Sequence, residues 1–206
     1  MPIPPNLRSG AITARLLILA AVTALTTGSA IAQAPDPTVS FDSSAPREAE
    51  TTLRTNWNGQ PAVFTTWLDS RSVQNEDGDL ETVRTRRLEV VLNGDRRLAV
   101  GAWDEQGGPA EIKAIFFANA DNDPALELIV ITTWPVQHAD VVGAFYEVRV
   151  YDDVATAQGD RLRPIPALNK HFGAGCYCER QGATPDHYSY HTVAAVKSEL
   201  RRMGFR

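Results

Sequence analysis

The feature that most constrains the fold is a series of short runs of β-branched and aromatic residues that begins near residue 62. Turn dipeptides such as Asp77-Gly78 and Asn93-Gly94 lie between the runs, and no helical period separates them. Asn-Gly is the preferred pair of a tight hairpin because both central residues of a type I′ turn need positive φ. Short strands joined by such turns pair antiparallel. We therefore predict strands at 62–68, 81–92, 97–103, 111–118, 126–133 and 144–151.

The second of these predicted strands changes phase. Side chains at every second residue lie on the same face of a strand. Val83 and Leu88 are an odd number of positions apart, so they would lie on opposite faces of a regular strand. An extra residue in one strand produces such a shift, so we predict a β-bulge between these two positions.

The periodicity changes again near the end of the chain. Val193, Val196, Leu200 and Met203 are spaced as neighbours on one helical face, and Gly204 follows as a residue that commonly ends helices. The predicted fold class is therefore mainly β: an antiparallel meander sheet with a C-terminal helix packed on it (α+β).

The first 32 residues resemble a secretory signal peptide. Arg8 and Arg15 precede an apolar run at 16–25, and Ala30-Ile31-Ala32 supplies the small residues of a cleavage site. The apolar run is too short to span a bilayer, which takes about 20 residues. We expect cleavage after Ala32, an exported protein that is periplasmic or secreted, and no membrane span after cleavage.

The rest of the chain divides into a proline-rich start and a β-rich domain. Residues 33–55 show no apolar periodicity and are predicted to be a flexible leader, and residues 56–206 a single domain with the C-terminal helix. The net charge of −5 becomes −7 when the two arginines of the signal peptide are removed. This acidic balance excludes a typical nucleic-acid-binding protein. The expected partner is a protein or glycan outside the cytoplasm.

The loop between two of the most regular predicted strands has the spacing of a calcium site. Oxygen-bearing side chains occupy its positions 1, 3, 5 and 9, and a backbone carbonyl is available at position 7. The candidate ligands are Asn119, Asp121, Asp123, Ala125 and Glu127. The alternative is a solvated turn in which these side chains bond to their own backbone.

This loop resembles the calcium loop of FG-GAP and VCBS-type repeats, in which acidic residues alternate between two strands. Asp121, Asp123 and Glu127 match ligand positions of that pattern, whereas Asn119 replaces an aspartate and Pro124 replaces a glycine. Together with the segments at 145–151, 176–178 and 192–197, the loop makes the chain similar to small secreted bacterial proteins that have one FG-GAP-like unit. The resemblance implies a β-rich exported protein, with possible bound Ca²⁺ and no established activity.

A second candidate site contains the two cysteines of the chain. Cys176 and Cys178 lie near His187 and His191, and Gly173 and Gly175 predict a tight, irregular loop around them. Three interpretations remain open: a local disulfide, a soft-metal site of thiolates and imidazoles, or buried reduced thiols.

The segment 134–140 is predicted to be a long loop between two strands, and long loops often contact partners. Trp134 and His138 are its candidate interaction residues, and Tyr146 is a further candidate for an exposed aromatic residue. Trp134 could instead cover the end of the sheet.

No nucleophile elbow, phosphate-binding loop, HExxH zinc motif or dinucleotide fingerprint occurs in the sequence. The prediction is an exported, non-enzymatic binding or interaction module with the calcium-like loop at 119–127. The alternative is a periplasmic metal-binding or redox protein that uses Cys176-x-Cys178. A hydrolase would need a serine or cysteine beside a histidine in an apolar pocket.

Overall fold

The computed structural model describes residues 49–74 and 77–206. These residues belong to one compact unit, Ser44–Arg206. The predicted signal peptide at 1–32, and the part of the predicted leader at 33–48, lie outside the described residues.

The described chain forms two antiparallel sheets and two α-helices. The first sheet has the strand order β1 (Ala49–Trp57), β2 (Gln60–Gln74), β3 (Leu80–Leu92) and β4 (Arg96–Asp104). The second has the order β5 (Glu111–Ala118), β6 (Glu127–Gln137), β7 (Val141–Tyr151), β8 (Ala174–Arg180) and β9 (Asp186–His187). The helices are α1 (Pro166–Phe172) and α2 (Val193–Met203). Within each sheet every strand pairs with the next along the chain, so both sheets are meanders, and the predicted fold class is confirmed.

Two hydrophobic cores lie on opposite faces of the second sheet, and β6 contributes to both. Leu128 and Val130 pack toward the first sheet, whereas Ile129 and Ile131 pack toward the helices. None of these four side chains is exposed. Because both of its faces are covered, β6 is a continuous apolar run instead of an alternating one.

The C-terminal helix is the prediction that the structure matches most closely. The hydroxyl of Thr192 accepts a hydrogen bond from the N–H of Ala195 at 3.2 Å and caps the start of α2. Gly204 ends the helix with a φ of 102°. Val196 and Leu200 are buried against the second sheet together with Leu168 of α1. Neither helix has the length and apolar character that a membrane crossing needs, as far as the described residues go.

The predicted leader at 33–55 is wrong over its last seven residues, which belong to β1. Asn58 and Gly59 form the turn to β2 with φ values of 50° and 81°, so an Asn-Gly hairpin lies here as well. Pairing with β2 along nearly the whole of β1 stabilises a segment whose own apolar content is low. The leader prediction failed because it weighed the prolines before residue 48 and not this dipeptide.

The predicted bulge between Val83 and Leu88 is also wrong. β2 and β3 pair without interruption, and the register shift lies in the β3–β4 pairing after Leu88. The odd interval arises because Arg86 takes a position on the core side of β3, where it is only 9% exposed. Its Nε donates a hydrogen bond to the carbonyl of Ala110 at 2.9 Å. A paired arginine therefore replaces an apolar residue in the alternation.

The predicted long loop at 134–140 is wrong as well. β6 continues to Gln137 and β7 begins at Val141, so the connection is a tight hairpin closed by the N–H of His138 on the carbonyl of Val141. Trp134 is a buried residue of β6, and its Nε1 donates to the carbonyl of Asp104 at 2.9 Å. Trp134 therefore cannot be an exposed interaction residue, because its side chain is buried in the core between the sheets. Tyr146 is also buried, whereas His138 is exposed.

The predicted irregular loop around the cysteines is a regular strand, β8. Cys178 lies opposite Gly143 of β7, where a Cβ would come within 2.7 Å of the Cα of Cys178. Glycine at 143 therefore permits the close approach of the two strands. Sequence periodicity missed β8 because glycines and cysteines give no clear alternation.

Candidate metal centre

The acidic loop joins β5 to β6 in the second sheet. Ala118 pairs with Glu127 at its base, so the chain reverses over residues 119–126. No residue from 119 to 127, all of which the structure describes, has a positive φ. Pro124 is therefore compatible with the turn, although a calcium loop commonly has glycine at this position.

Side-chain hydrogen bonds to the backbone shape the loop. The carboxylate of Asp121 accepts from the N–H of Asp123 at 2.8 Å, and the carboxylate of Asp123 accepts from the N–H of Ala125 at 2.7 Å. The amide of Asn119 donates to the carbonyl of Asp123 at 2.9 Å. These are the local bonds of the solvated-turn interpretation, and they also hold the acidic side chains on the inside of the bend.

Three carboxylates converge in this loop. Oxygen atoms of Asp121, Asp123 and Glu127 all lie within 4.8 Å of one another. Asp123 is exposed, Asp121 is half-buried and Glu127 is fully buried at the start of β6. Three negative charges at this spacing repel one another unless a cation lies between them or one of them is protonated.

Two buried oxygen atoms of the loop lack partners. Oε2 of Glu127 accepts from the N–H of Ala120, but its Oε1 has no hydrogen-bond partner in the described structure. The Oδ1 of Asn119 is likewise buried and unpartnered within the part of the chain that is described. A buried acceptor without a donor costs free energy that a hydrogen bond or a cation recovers. These atoms therefore fit a hard cation that binds through oxygen.

The environment of Glu127 opposes its ionisation. The pKa of its carboxyl is raised to about 7, mainly by burial and also by the nearby charges of Asp121 and Asp123, against a hydrogen bond from Ala120 that lowers it. A divalent cation would reverse this balance because it stabilises the ionised form.

A turn of the first sheet binds the peptide between the last two predicted ligands. The Oδ1 of Asn58 accepts from the N–H of Leu126 at 2.9 Å, and the Nδ2 of Asn58 donates to the carbonyl of Leu126 at 3.0 Å. The Nε1 of Trp57 donates to the same carbonyl at 2.6 Å. Leu126 separates Ala125 from Glu127, so these bonds hold the chain at positions 7 and 9 of the loop.

The structure thus brings the oxygen atoms of three of the five predicted metal residues, Asp121, Asp123 and Glu127, close together, and the Oδ1 of Asn119 is buried in the same loop. Ala125 lies in the same bend and donates its N–H to Asp123. Sequence analysis missed Asn58 and Trp57 as members of this neighbourhood. The available signal was the Asn58-Gly59 dipeptide, which predicts a hairpin but not its contact partner.

The cysteines form a different arrangement from the predicted metal alternative. The sulfur atoms of Cys176 and Cys178 lie at disulfide-bonding distance, with Cα atoms 5.4 Å apart, and Cys178 is buried. Within the described residues, these cysteines and the imidazoles of His187 and His191 do not form a group of three converging ligand atoms. The geometry therefore favours a local disulfide over a thiolate metal site.

The two histidines instead pack around an aromatic ring. Tyr177 is 40% exposed, and its ring centroid lies 4.3 Å from that of His191 and 5.1 Å from that of His187. The Nδ1 of His191 lies 2.8 Å from the carbonyl of Tyr188, to which it can donate. The sequence predicted that these residues are neighbours, but it did not predict their contact with Tyr177.

A cleft of about 380 Å³ lies between β1 and β5, beside Arg86 and Glu111. Its described lining contains no serine, cysteine or histidine. The hydrolase interpretation therefore finds no nucleophile and base in this cleft.

Comparison with known proteins adds no relative from which a site could be transferred. No family model, no curated protein and no solved structure matches this chain.

Proposed function

We propose that this protein is a calcium-binding, non-enzymatic interaction module, in which Ca²⁺ binds in the 119–127 loop. The observation that supports it most is the side chain of Glu127, which is fully buried, faces two further carboxylates and leaves one oxygen without a partner. A buried carboxylate in this situation is destabilising by itself and becomes favourable when a cation neutralises it.

The chemistry of the donors selects the ion. Asn119, Asp121, Asp123 and Glu127 offer oxygen atoms, and Ala125 offers a carbonyl oxygen. Calcium accepts such ligands at 2.3–2.6 Å in irregular geometry, whereas zinc prefers nitrogen and sulfur. Magnesium requires a near-ideal octahedron and retains several waters, which suits a bend of mixed side-chain and backbone donors less well.

Calcium in this position would be structural. The loop closes the β5–β6 hairpin, whose buried strands contribute to both hydrophobic cores. An ion that binds the folded state and not the unfolded chain stabilises the fold by mass action. We therefore expect about 3 kcal/mol of added stability when the free calcium concentration is a hundred times the Kd.

Thermal unfolding tests this function. Protein treated with a chelator and then dialysed should unfold at a lower temperature than protein in 2 mM CaCl₂ (about 2 mM is a routine excess over sensor-type sites). Asp121→Ala and Asp123→Ala should remove the difference, whereas Asp95→Ala should retain it. Asp95 is an exposed acidic residue in the β3–β4 turn and serves as the matched control. Equal unfolding temperatures of the wild type with calcium and with chelator would refute the proposal.

Export and a partner outside the cytoplasm belong to the same proposal. Their support is the basic, apolar and small-residue pattern of residues 1–32 and the acidic balance of the chain. Intact-mass analysis of protein recovered after expression with its full N-terminal segment should give a chain that starts at Gln33. A protein or glycan ligand is then sought with that mature form, with and without calcium.

A further inference from the structure

We infer that Asn58 is a positioning residue for the calcium site, so that calcium binding and the β1–β2 turn stabilise each other. This inference rests on the proposed calcium function. It concerns a residue that lies 68 positions before Leu126 and in a different sheet from the loop.

Asn58 fixes the backbone at Leu126. Both backbone groups of this residue bond to one side chain: the N–H to Oδ1 of Asn58 at 2.9 Å and the carbonyl to Nδ2 at 3.0 Å. Two bonds from one planar amide fix the position and the orientation of the peptide. Because Leu126 stands between Ala125 and Glu127, this contact sets where the last two predicted ligands point.

The β1–β2 turn that contains Asn58 is itself held in place. Asn58 has a φ of 50°, and its turn is closed by the side chain of Asn56, which accepts from the N–H of Gly59 at 2.9 Å. The preceding residue, Trp57, is 1% exposed and stacks on Phe117 of β5, with ring centroids 5.5 Å apart. Asn58 itself is exposed, but the residue before it is packed into the core between the sheets, so the backbone of the turn is held by contacts other than those with the loop.

The contact with Asn58 lowers the free-energy cost of ordering the loop for calcium. A flexible loop must order its ligands before it binds an ion, and that ordering reduces affinity. Asn58 orders the C-terminal side of the loop in advance. Coupling between two equilibria is reciprocal, so calcium must stabilise the turn by the same factor by which the turn raises calcium affinity.

The test is calcium titration by calorimetry on chelator-treated full-length protein. Asn58→Gly removes the amide but tolerates positive φ, so the turn itself is not strained. Loss of the two hydrogen bonds should weaken calcium binding about tenfold. The control is Asn93→Gly, which makes the same change at a residue with φ of 52° in the β3–β4 turn. It removes a hydrogen bond to Gln60 but none to Leu126, so the calcium affinity should stay within about twofold.

A second measurement begins with the wild type, so its first result does not depend on the variant folding. Calcium should slow amide hydrogen exchange in residues 57–60 and leave residues 158–161 unchanged, a turn closed by backbone hydrogen bonds between Gln158 and Arg161. In Asn58→Gly, bound calcium should no longer slow exchange in the turn.

The outcomes separate the two proposals. If the wild type binds calcium and Asn58→Gly binds it with equal affinity, the role of Asn58 is overturned and the calcium site remains. The same holds if the wild type binds calcium and exchange at residues 57–60 does not change. Absence of calcium binding by the wild type overturns both.

Discussion

Asn58 and Leu126 are joined by two hydrogen bonds, although 68 residues and a change of sheet separate them. Asn58 bonds both backbone groups of Leu126, the residue between the last two candidate calcium ligands. The acidic loop of the second sheet is therefore attached to a hairpin turn of the first. This link connects the candidate metal site to the core between the sheets, where Trp57 is buried beside Phe117.

Replacing Glu127 with glutamine should separate stability from calcium binding. The pKa of Glu127 is raised to about 7 from an ordinary value of 4.5. Between these two pH values the folded state therefore holds a proton that the unfolded chain has released. The stability of calcium-free protein should therefore fall as pH rises from about 5 to 8. Glu127→Gln should remove this fall and stabilise the calcium-free protein at pH 8 by about 2 kcal/mol.

Urea unfolding in the presence of chelator measures this effect. The same variant should lose the stabilisation that calcium gives the wild type, because glutamine supplies no charge. If Glu127→Gln is less stable than the wild type in chelator at pH 8, the buried carboxylate is not the source of strain in the loop.

The carboxylate of Glu199 should contribute stability that is lost when the pH falls, whereas the contribution of Glu127 is lost when the pH rises. Arg202 bonds this carboxylate at 2.6 and 2.7 Å and lowers its pKa to about 2, with His171 assisting at 2.7 Å. A lowered pKa adds stability that is fully present above the unfolded value of 4.5 and is lost as pH falls toward 2. Glu199→Gln should flatten the loss of stability between pH 4.5 and 2. A variant that loses stability as steeply as the wild type over that range would contradict this assignment.

The cysteine pair should contribute modestly to stability. A disulfide between residues two apart closes a very small loop, for which the chain-entropy relation gives about 1–2 kcal/mol. Cys176→Ser with Cys178→Ser should therefore lower the urea midpoint slightly, and a reductant should lower the wild type by the same amount. Thiol titration of unfolded, non-reduced protein should find no free thiol. Detection of two free thiols in exported protein would contradict the disulfide.

Arg86 should behave as a core residue despite its charge. It is 9% exposed, bonds to the carbonyl of Ala110 and forms an ion pair with Glu50. Arg86→Ala would leave that carbonyl without its donor and open space in the core, so we expect a loss of about 2–4 kcal/mol. Arg96→Ala, an exposed residue at the start of β4, is the control and should change stability by less than about 0.5 kcal/mol. Similar effects of the two changes would show that Arg86 is not part of the packing.

Local sequence patterns predicted much of the fold because this topology is local. Within each sheet every strand pairs with the next, so a run such as 111–118 and the turn after it determine both the element and its partner. The period-3.6 pattern of Val193, Val196 and Leu200 identified α2 for a similar reason. β8 was missed because its pairing with β7 depends on Gly143, whose role is to leave space, and a missing side chain gives no periodic signal.

The candidate site could be predicted only in its local part. Asn119, Asp121, Asp123 and Glu127 are close in sequence, so their spacing alone brings them together in a turn. The burial of Glu127 was not predictable from spacing, because it depends on the packing of both faces of β6. The bonds from Asn58 and Trp57 join two sheets, and no sequence period relates residues 68 positions apart. Trp134 was assigned to a surface for the same reason: its contacts with Asp104 and Phe145 are set by tertiary packing.

The most direct test is the metal content of the protein itself, purified without chelator, together with calcium titration of the stripped protein. The calcium-site proposal predicts about one calcium per chain by elemental analysis and a single binding event that Asp121→Ala, Asp123→Ala and Glu127→Gln abolish. Stripped protein that binds no calcium at millimolar concentration, with the three variants indistinguishable from the wild type, would contradict it.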